Sequence, residues 1–252
     1  MTTLAPRSEM ELAEIVADAY ATDRPMAIVG RGTKSGWGRA VDHPVALSLA
    51  GFSGIVDYAP AELVLTAGAG TPLTEIQAAL AAEGQHLAFE PVDCGPIFGH
   101  QPDRATIGGV LACNLSGSRR PFAGAARDFF LGFHAVNGRG EIFKAGGKVV
   151  KNVTGYDLPK LLAGSMGTLA ALTEVTVKVL PAPEKQRTVL IPVSDAAQGH
   201  ARMIALLQDA FEIDGAAFLP AAVAARSGVD LVRGLGSALI ALRLSGAPGS
   251  CA

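Results

Sequence analysis

Ala27-Ile28-Val29-Gly30-Arg31-Gly32-Thr33-Lys34-Ser35-Gly36-Trp37-Gly38 runs from a short apolar stretch straight into closely spaced glycines. The first three residues read as a buried strand. The rest reads as a loop in which absent side chains let main-chain N–H groups converge on an anion such as a phosphate. Spacing excludes two familiar phosphate loops. A Walker loop needs Gly-Lys-Ser/Thr, whereas here Lys34 follows Thr33. A doubly wound dinucleotide fingerprint needs a third glycine where Ser35 stands, and a helix that Gly36-Trp37-Gly38 will not start. Any phosphate held here is held by a different fold.

Upstream, Ser8-Glu9-Met10-Glu11 has the form of a capping box, and Leu12, Ile15, Val16 and Ala19 recur with helical spacing until Arg24-Pro25. Downstream, short strands are predicted at 46–49, 55–58 and 63–67. Thr71-Pro72 then opens a helix whose Leu73, Ile76 and Leu80 share a face and which stops at Gly84. Residues 129–136 and 141–144 read as a hairpin around Asn137-Gly138-Arg139-Gly140, and 173–180 as another strand. The prolines of Pro181-Ala182-Pro183 break the pattern and mark a boundary. Beyond them come a strand (188–192), a helix from a Ser194-Asp195 cap with Met203, Ile204 and Leu207 on one side, and strands near 216–219 and 238–244. The last residues, 245–252, carry no further core-forming pattern.

Composition narrows the function. The chain has 252 residues, 49 % apolar and 17 % charged, enough for a buried core. A net charge of -2 gives nucleic acid or an anionic membrane no general attraction. No stretch lacking Asp, Glu, Lys and Arg exceeds the 14 residues of 105–118, short of the ~18 that a membrane-spanning helix requires. The N-terminus meets acids before any apolar run, so no secretory signal is read. Cys94, Cys113 and Cys251 are too few and scattered for a disulfide framework or an iron-sulfur ligand set. A cytoplasmic, reduced chain is expected.

Thirty glycines, about 12 % against a usual ~7 %, need a local reason. Part of it lies in 91–124, a segment long for a structureless connection and therefore expected to bind something. Within it Thr106-Ile107-Gly108-Gly109-Val110-Leu111-Ala112-Cys113-Asn114-Leu115-Ser116-Gly117 offers a hydroxyl, paired glycines and an amide; a short buried helix packed through small residues is the alternative. A third cluster follows in Lys148-Val149-Val150-Lys151-Asn152-Val153-Thr154-Gly155-Tyr156-Asp157-Leu158 and Gly164-Ser165-Met166-Gly167-Thr168-Leu169. Three such clusters in one small domain suit a long, bent, polyphosphate ligand.

Taken in order, residues 29–35, Thr106-Ile107-Gly108-Gly109, Phe122-Ala123-Gly124 leading to Arg127-Asp128, and 151–158 with 164–168 resemble the FAD-binding domain of the vanillyl-alcohol-oxidase and p-cresol-methylhydroxylase (PCMH) superfamily. The run 151–158, with Leu87-Ala88-Phe89-Glu90-Pro91, looks most like the FAD-binding subunits of bacterial glycolate oxidases. The resemblance spans roughly residues 5–245. It implies an α+β fold: a two-lobed PCMH-type FAD-binding domain over 1–181 with FAD between the lobes, then a partial α+β, ferredoxin-like cap or substrate domain over 182–252 that stops part-way. Gly30, Arg31, Gly32, Thr33, Lys34 and Ser35 would hold the pyrophosphate. Thr106, Gly108, Gly109, Asn114 and Gly117 would face the flavin and ribityl chain, and the region of Leu172 would reach the adenine. Superfamily members with covalent flavin use a histidine where this chain has Thr33, so noncovalent FAD is expected.

Oxidation of a 2-hydroxy acid needs a base, and cations for the carboxylate. His43, His86, His100, His134 and His200 are dispersed, with no spacing that suggests a metal. His100, in the glycine-rich segment, is the histidine of most interest. Tyr156 and Asp157 are candidates, with a hydrogen-bonded structural turn the competing reading; Arg119 and Arg120 read as a solvated pair, and Trp37 and Phe89 as packing. The resemblance implies a glycolate-oxidising complex that makes 2-oxo acids. In it this chain works with a second, larger flavoprotein subunit and an iron-sulfur subunit, and touches the inner membrane only through them. A stand-alone D-2-hydroxyacid (D-lactate) dehydrogenase and a flavin-less structural subunit are the alternatives.

Overall fold

A computed structural model describes residues 2–38, 45–148, 155–208 and 213–247. It divides into two compact units, one of residues 1–117 and 124–182, the other of 118–123 and 183–252.

The first unit begins β1 (Thr2–Leu4), α1 (Glu9–Ala21), β2 (Met26–Val29), β3 (Val45–Ser48), β4 (Ile55–Ala59), β5 (Val64–Gly68), α2 (Leu73–Ala82), β6 (Gln85–His86) and α3 (Ile107–Ala112). After α4 (Arg120–Ala123), which belongs to the second unit, come α5 (Ala126–Phe129), β7 (Phe130–Asn137), β8 (Ile142–Gly146), α6 (Leu158–Leu162), β9 (Ala170–Lys178) and β10 (Leu180–Pro181).

Two sheets carry this unit. A parallel sheet of order β1-β3-β2 packs Met26, Ile28 and Leu47 against Leu12 and Val16 of α1. The helix starts where Ser8 accepts a hydrogen bond from the Glu11 N–H at 3.2 Å; the returning half of the box goes to Arg7, whose N–H donates to Glu11 Oε2 at 2.8 Å. An antiparallel sheet has the order β4-β5-β9-β7-β8. Its middle strand β9 is buried almost continuously, as a strand covered on both faces must be, whereas the edge strand β8 alternates. The β7–β8 hairpin turns where Asn137 Oδ1 accepts from the Arg139 and Glu141 N–H groups at 2.9 and 3.1 Å.

The second unit adds β11 (Lys185–Val193), α7 (Ala196–Leu207), β12 (Ile213–Leu219), α8 (Ala221–Ala224), α9 (Asp230–Gly234) and β13 (Ala238–Gly246). Its antiparallel sheet has the order β11-β13-β12. The core side of α7 is Met203 with Leu206, packed on Ile213, Phe218, Ile240 and Leu242. Ile204 and Leu207, expected on that side, are exposed. Both Leu206 and Leu207 continue the apolar run, and only the direction of the sheet decides which one turns inward.

Candidate functional site

Three of the glycine clusters meet around α3. The 30–38 loop leaves β2 through turns and forms no helix. Gly32 takes φ +74°, a left-handed conformation that glycine adopts without strain. Among the described residues, the main-chain N–H groups of Arg31, Gly32, Thr33 and Lys34 donate to no carbonyl or side chain, whereas Ser35 N–H closes a turn onto Gly32 O at 3.1 Å. Consecutive undonated N–H groups in a glycine loop make an anion cradle.

The second cluster abuts the first. Thr106 caps α3, its Oγ1 accepting from the Gly109 N–H at 3.4 Å. A Cβ on Gly30 would stand 2.6 Å from Thr106 Oγ1, so the loop approaches the helix cap as closely as glycine permits. Gly108 lies against Ala69, whose carbonyl accepts its N–H at 2.8 Å; a Cβ there would meet that oxygen at 2.7 Å. The third cluster then bonds the far end of α3: Gly164 N–H to Leu111 O at 3.2 Å and Met166 N–H to Ala112 O at 2.8 Å. Gly167 faces Ile28 of β2.

The remaining predicted cofactor residues are Asn114, Gly117 and Leu172. Asn114 sits at φ +50° with its Oδ1 accepting from the Arg127 N–H at 2.9 Å. Gly117 donates its N–H to Phe89 O at 2.9 Å, beside Glu90 at φ +47°. Leu172 is buried in β9 opposite Ala135 of β7. Residues 151–154 and His43 lie outside the described residues. A cavity of about 610 Å³ runs along β2 between α1 and 167–171, lined by Tyr20, Met26, Ile28, Val136 and Gly167. Its size suits a ligand. It takes Gly167, Thr168 and Leu169 from the third cluster and none of the residues predicted to hold a cofactor.

Thr33 is buried, and its Oγ1 accepts from Lys34 Nζ at 3.3 Å. Burial pulls the Lys34 ammonium below the usual lysine range, and burial also pushes the Cys113 thiol up. Neither signal was visible in the sequence, where Lys34 is one loop lysine among several.

The catalytic candidates fare differently. Tyr156 is 90 % exposed. The Asp157 carboxylate caps α6 by accepting from the Lys160 N–H and pairs with Lys160 Nζ at 2.7 Å; that hydrogen bond holds it below the usual carboxylate range. His100 Nε2 stands 3.5 Å from Ser35 Oγ, at the loop itself. Arg119, expected on a solvated face, is mostly buried and pairs with Asp214 at 3.1 Å, while Arg120 is exposed. Trp37 stacks on Phe98 with centroids 6.4 Å apart yet stays 45 % exposed, and Phe89 is fully buried against Phe129. Among the described residues no group of His, Cys, Asp and Glu forms a metal site, and no helix is long and apolar enough to cross a membrane.

The cradle, the part-buried ammonium and the close glycine contacts fit a ligand that carries an anionic group. Comparison with known proteins identifies the family. The chain is 45 % identical over 172 residues to glycolate oxidase subunit GlcE of Escherichia coli, covering 68 % of this chain and 47 % of that protein. It is 37 % identical over 148 residues to a D-lactate dehydrogenase of Anaerostipes hadrus, covering 59 % and 29 %. In fold it resembles an alkyldihydroxyacetonephosphate synthase, with a TM-score of 0.71 at 18 % identity over 99 % of this chain and 48 % of that one. The chain thus spans less than half the length of these proteins. The sequence model of the FAD binding domain matches residues 2–146, which include the cradle loop and α3, and the chain belongs to that FAD-binding family.

Proposed function

We propose that this chain is the FAD-carrying part of a glycolate oxidase, oxidising glycolate and related 2-hydroxy acids to 2-oxo acids. The observation that carries the reading is the 45 % identity to a glycolate oxidase subunit over 172 residues. Residues 1–181 form the FAD-binding domain in this reading and 182–252 part of a substrate domain. A second flavoprotein subunit and an iron-sulfur subunit receive the electrons, and any contact with the inner membrane is made through them.

Bound FAD supplies a two-electron acceptor. The chain's part is to hold and orient it. The N–H groups of Arg31, Gly32, Thr33 and Lys34 would take the pyrophosphate oxygens, with Ser35 adding a hydroxyl. Thr106, Gly108, Gly109, Asn114 and Gly117 would line the flavin and ribityl portion, where small residues admit close approach, and main-chain groups near Leu172 would serve the adenine. For a base, His100 is favoured over Asp157, whose carboxylate is already committed to Lys160, and over Tyr156 at the open surface.

Anaerobic addition of glycolate to the FAD-loaded chain, followed at the flavin absorbance band with and without the partner subunits, tests the proposal. Bleaching that requires the partners supports it. Bleaching by D-lactate with the chain alone supports a stand-alone dehydrogenase instead, a reading favoured by the similarity to D-lactate dehydrogenase. Failure to take up FAD at all overturns both.

A further inference from the structure

Among the described residues, Lys34 has no ion-pair partner. Its Nζ has Thr33 Oγ1 at 3.3 Å, and a Cβ on Gly109 would lie 3.3 Å from it, so the ammonium rests against the start of α3 and away from the loop surface. The titratable groups around it are Cys113, Cys94 and Asp93. The Asp93 carboxylate is spent on the main chain, Oδ1 accepting from the Gly95 N–H at 2.9 Å and Oδ2 from the Asp103 N–H at 2.7 Å. Cys94 is a buried thiol, and burial keeps Cys113 protonated. Among the described residues no carboxylate comes within ion-pair distance of Lys34. Withdrawing an ammonium from water without a partner is costly, and such a group is stabilised when an anion arrives.

We propose that the Lys34 ammonium, beside Gly109, is the counter-charge to an anionic group of bound FAD. The inference rests on the assignment of FAD to this junction and adds the residue that balances its charge. Two parts of FAD carry suitable charge: the pyrophosphate, negative in every redox state, and the isoalloxazine, which gains negative charge on reduction. An undonated N–H cradle already surrounds the first, so Lys34 is an additional contact there, whereas for the second it would set the redox potential.

The test compares the full chain with Lys34→Met and with the charge-keeping Lys34→Arg. Three quantities are read: affinity for oxidised FAD, affinity for ADP as a pyrophosphate probe without the ring, and the flavin midpoint potential. If the pyrophosphate is the partner, Lys34→Met weakens both FAD and ADP by on the order of tenfold, and Lys34→Arg restores most of it. If the reduced ring is the partner, oxidised FAD and ADP bind as before, while the potential falls by about 30 mV for each tenfold loss of preference for the reduced form. Wild-type affinities and potential in Lys34→Met overturn the proposal. A wild-type chain that binds no FAD overturns the underlying assignment instead. Should Lys34→Met not fold, Lys34→Gln replaces it, read in the same three quantities with the same outcomes.

Discussion

Arg119 Nε stands 3.1 Å from Asp214 Oδ2, and Arg243 Nε stands 3.0 Å from Oδ1 of the same carboxylate. One mostly buried aspartate thus gathers two arginines, from the segment before α4 and from β13, onto the start of β12. This places 118–123 with the second unit although the chain enters and leaves it from the first.

Removing the shared carboxylate should be costly, because Asp214→Ala leaves two partly buried guanidinium groups facing each other. Breaking such a pair from one side typically costs about 3–5 kcal/mol. Denaturant unfolding followed by a probe in β11–β13 should show a loss in that range. A loss below about 1 kcal/mol would mean that apolar packing of the sheet, and not the carboxylate, holds the segment.

Gly30 and Thr106 make a second testable pair. Gly30→Ala places a methyl 2.6 Å from Thr106 Oγ1 and should cost about 1–3 kcal/mol through crowding. Thr106→Ala forfeits the α3 cap, worth about 1 kcal/mol. The double variant should cost less than the sum, since the clashing atom is gone, with a coupling of about 0.5–3 kcal/mol. Strict additivity in a double-mutant cycle would show that the loop and the cap are not in contact.

Much of this fold is legible in the sequence where local chemistry decides. Ser8 announces α1, and the Asn137 to Gly140 turn announces the β7–β8 hairpin, because the signals lie within a few residues of their effects. Thr2–Leu4 escapes, since three residues show no period and their parallel partner, Val45–Leu47, is distant in sequence. The glycine loop is visible, but not that its lysine folds inward to Gly109. That follows from the start of α3 lying against the loop, a tertiary fact. The role of Arg119 is hidden for the same reason: nothing near it in sequence names Asp214.

Asp157 gives a pH dependence whose sign is fixed. The Lys160 hydrogen bond depresses the folded carboxyl below the 3.8 of an unperturbed aspartate. The stability it contributes is therefore present above that value and lost as pH falls through the folded value. Asp157→Asn retains a side-chain oxygen for the α6 cap and removes the charge. The wild type should exceed the variant in melting temperature at neutral pH, and the gap should close under acid conditions. A gap independent of pH would assign the difference to packing.

Release of intact flavin on denaturation is the expected outcome for the cofactor. Covalent attachment needs a nucleophile at the ring, and the loop offers Thr33, a buried hydroxyl already accepting from Lys34. The nearby thiol of Cys113 is pushed up by burial, away from its nucleophilic thiolate form. Among the described residues near the loop, that leaves His100, whose imidazole reaches Ser35 at 3.5 Å, as the group able to compete. Acid precipitation of the loaded chain should leave FAD in the supernatant and a colourless pellet. Fluorescence remaining on the pellet, and vanishing in His100→Ala, would show that the histidine outside the cradle takes the place of the one missing within it.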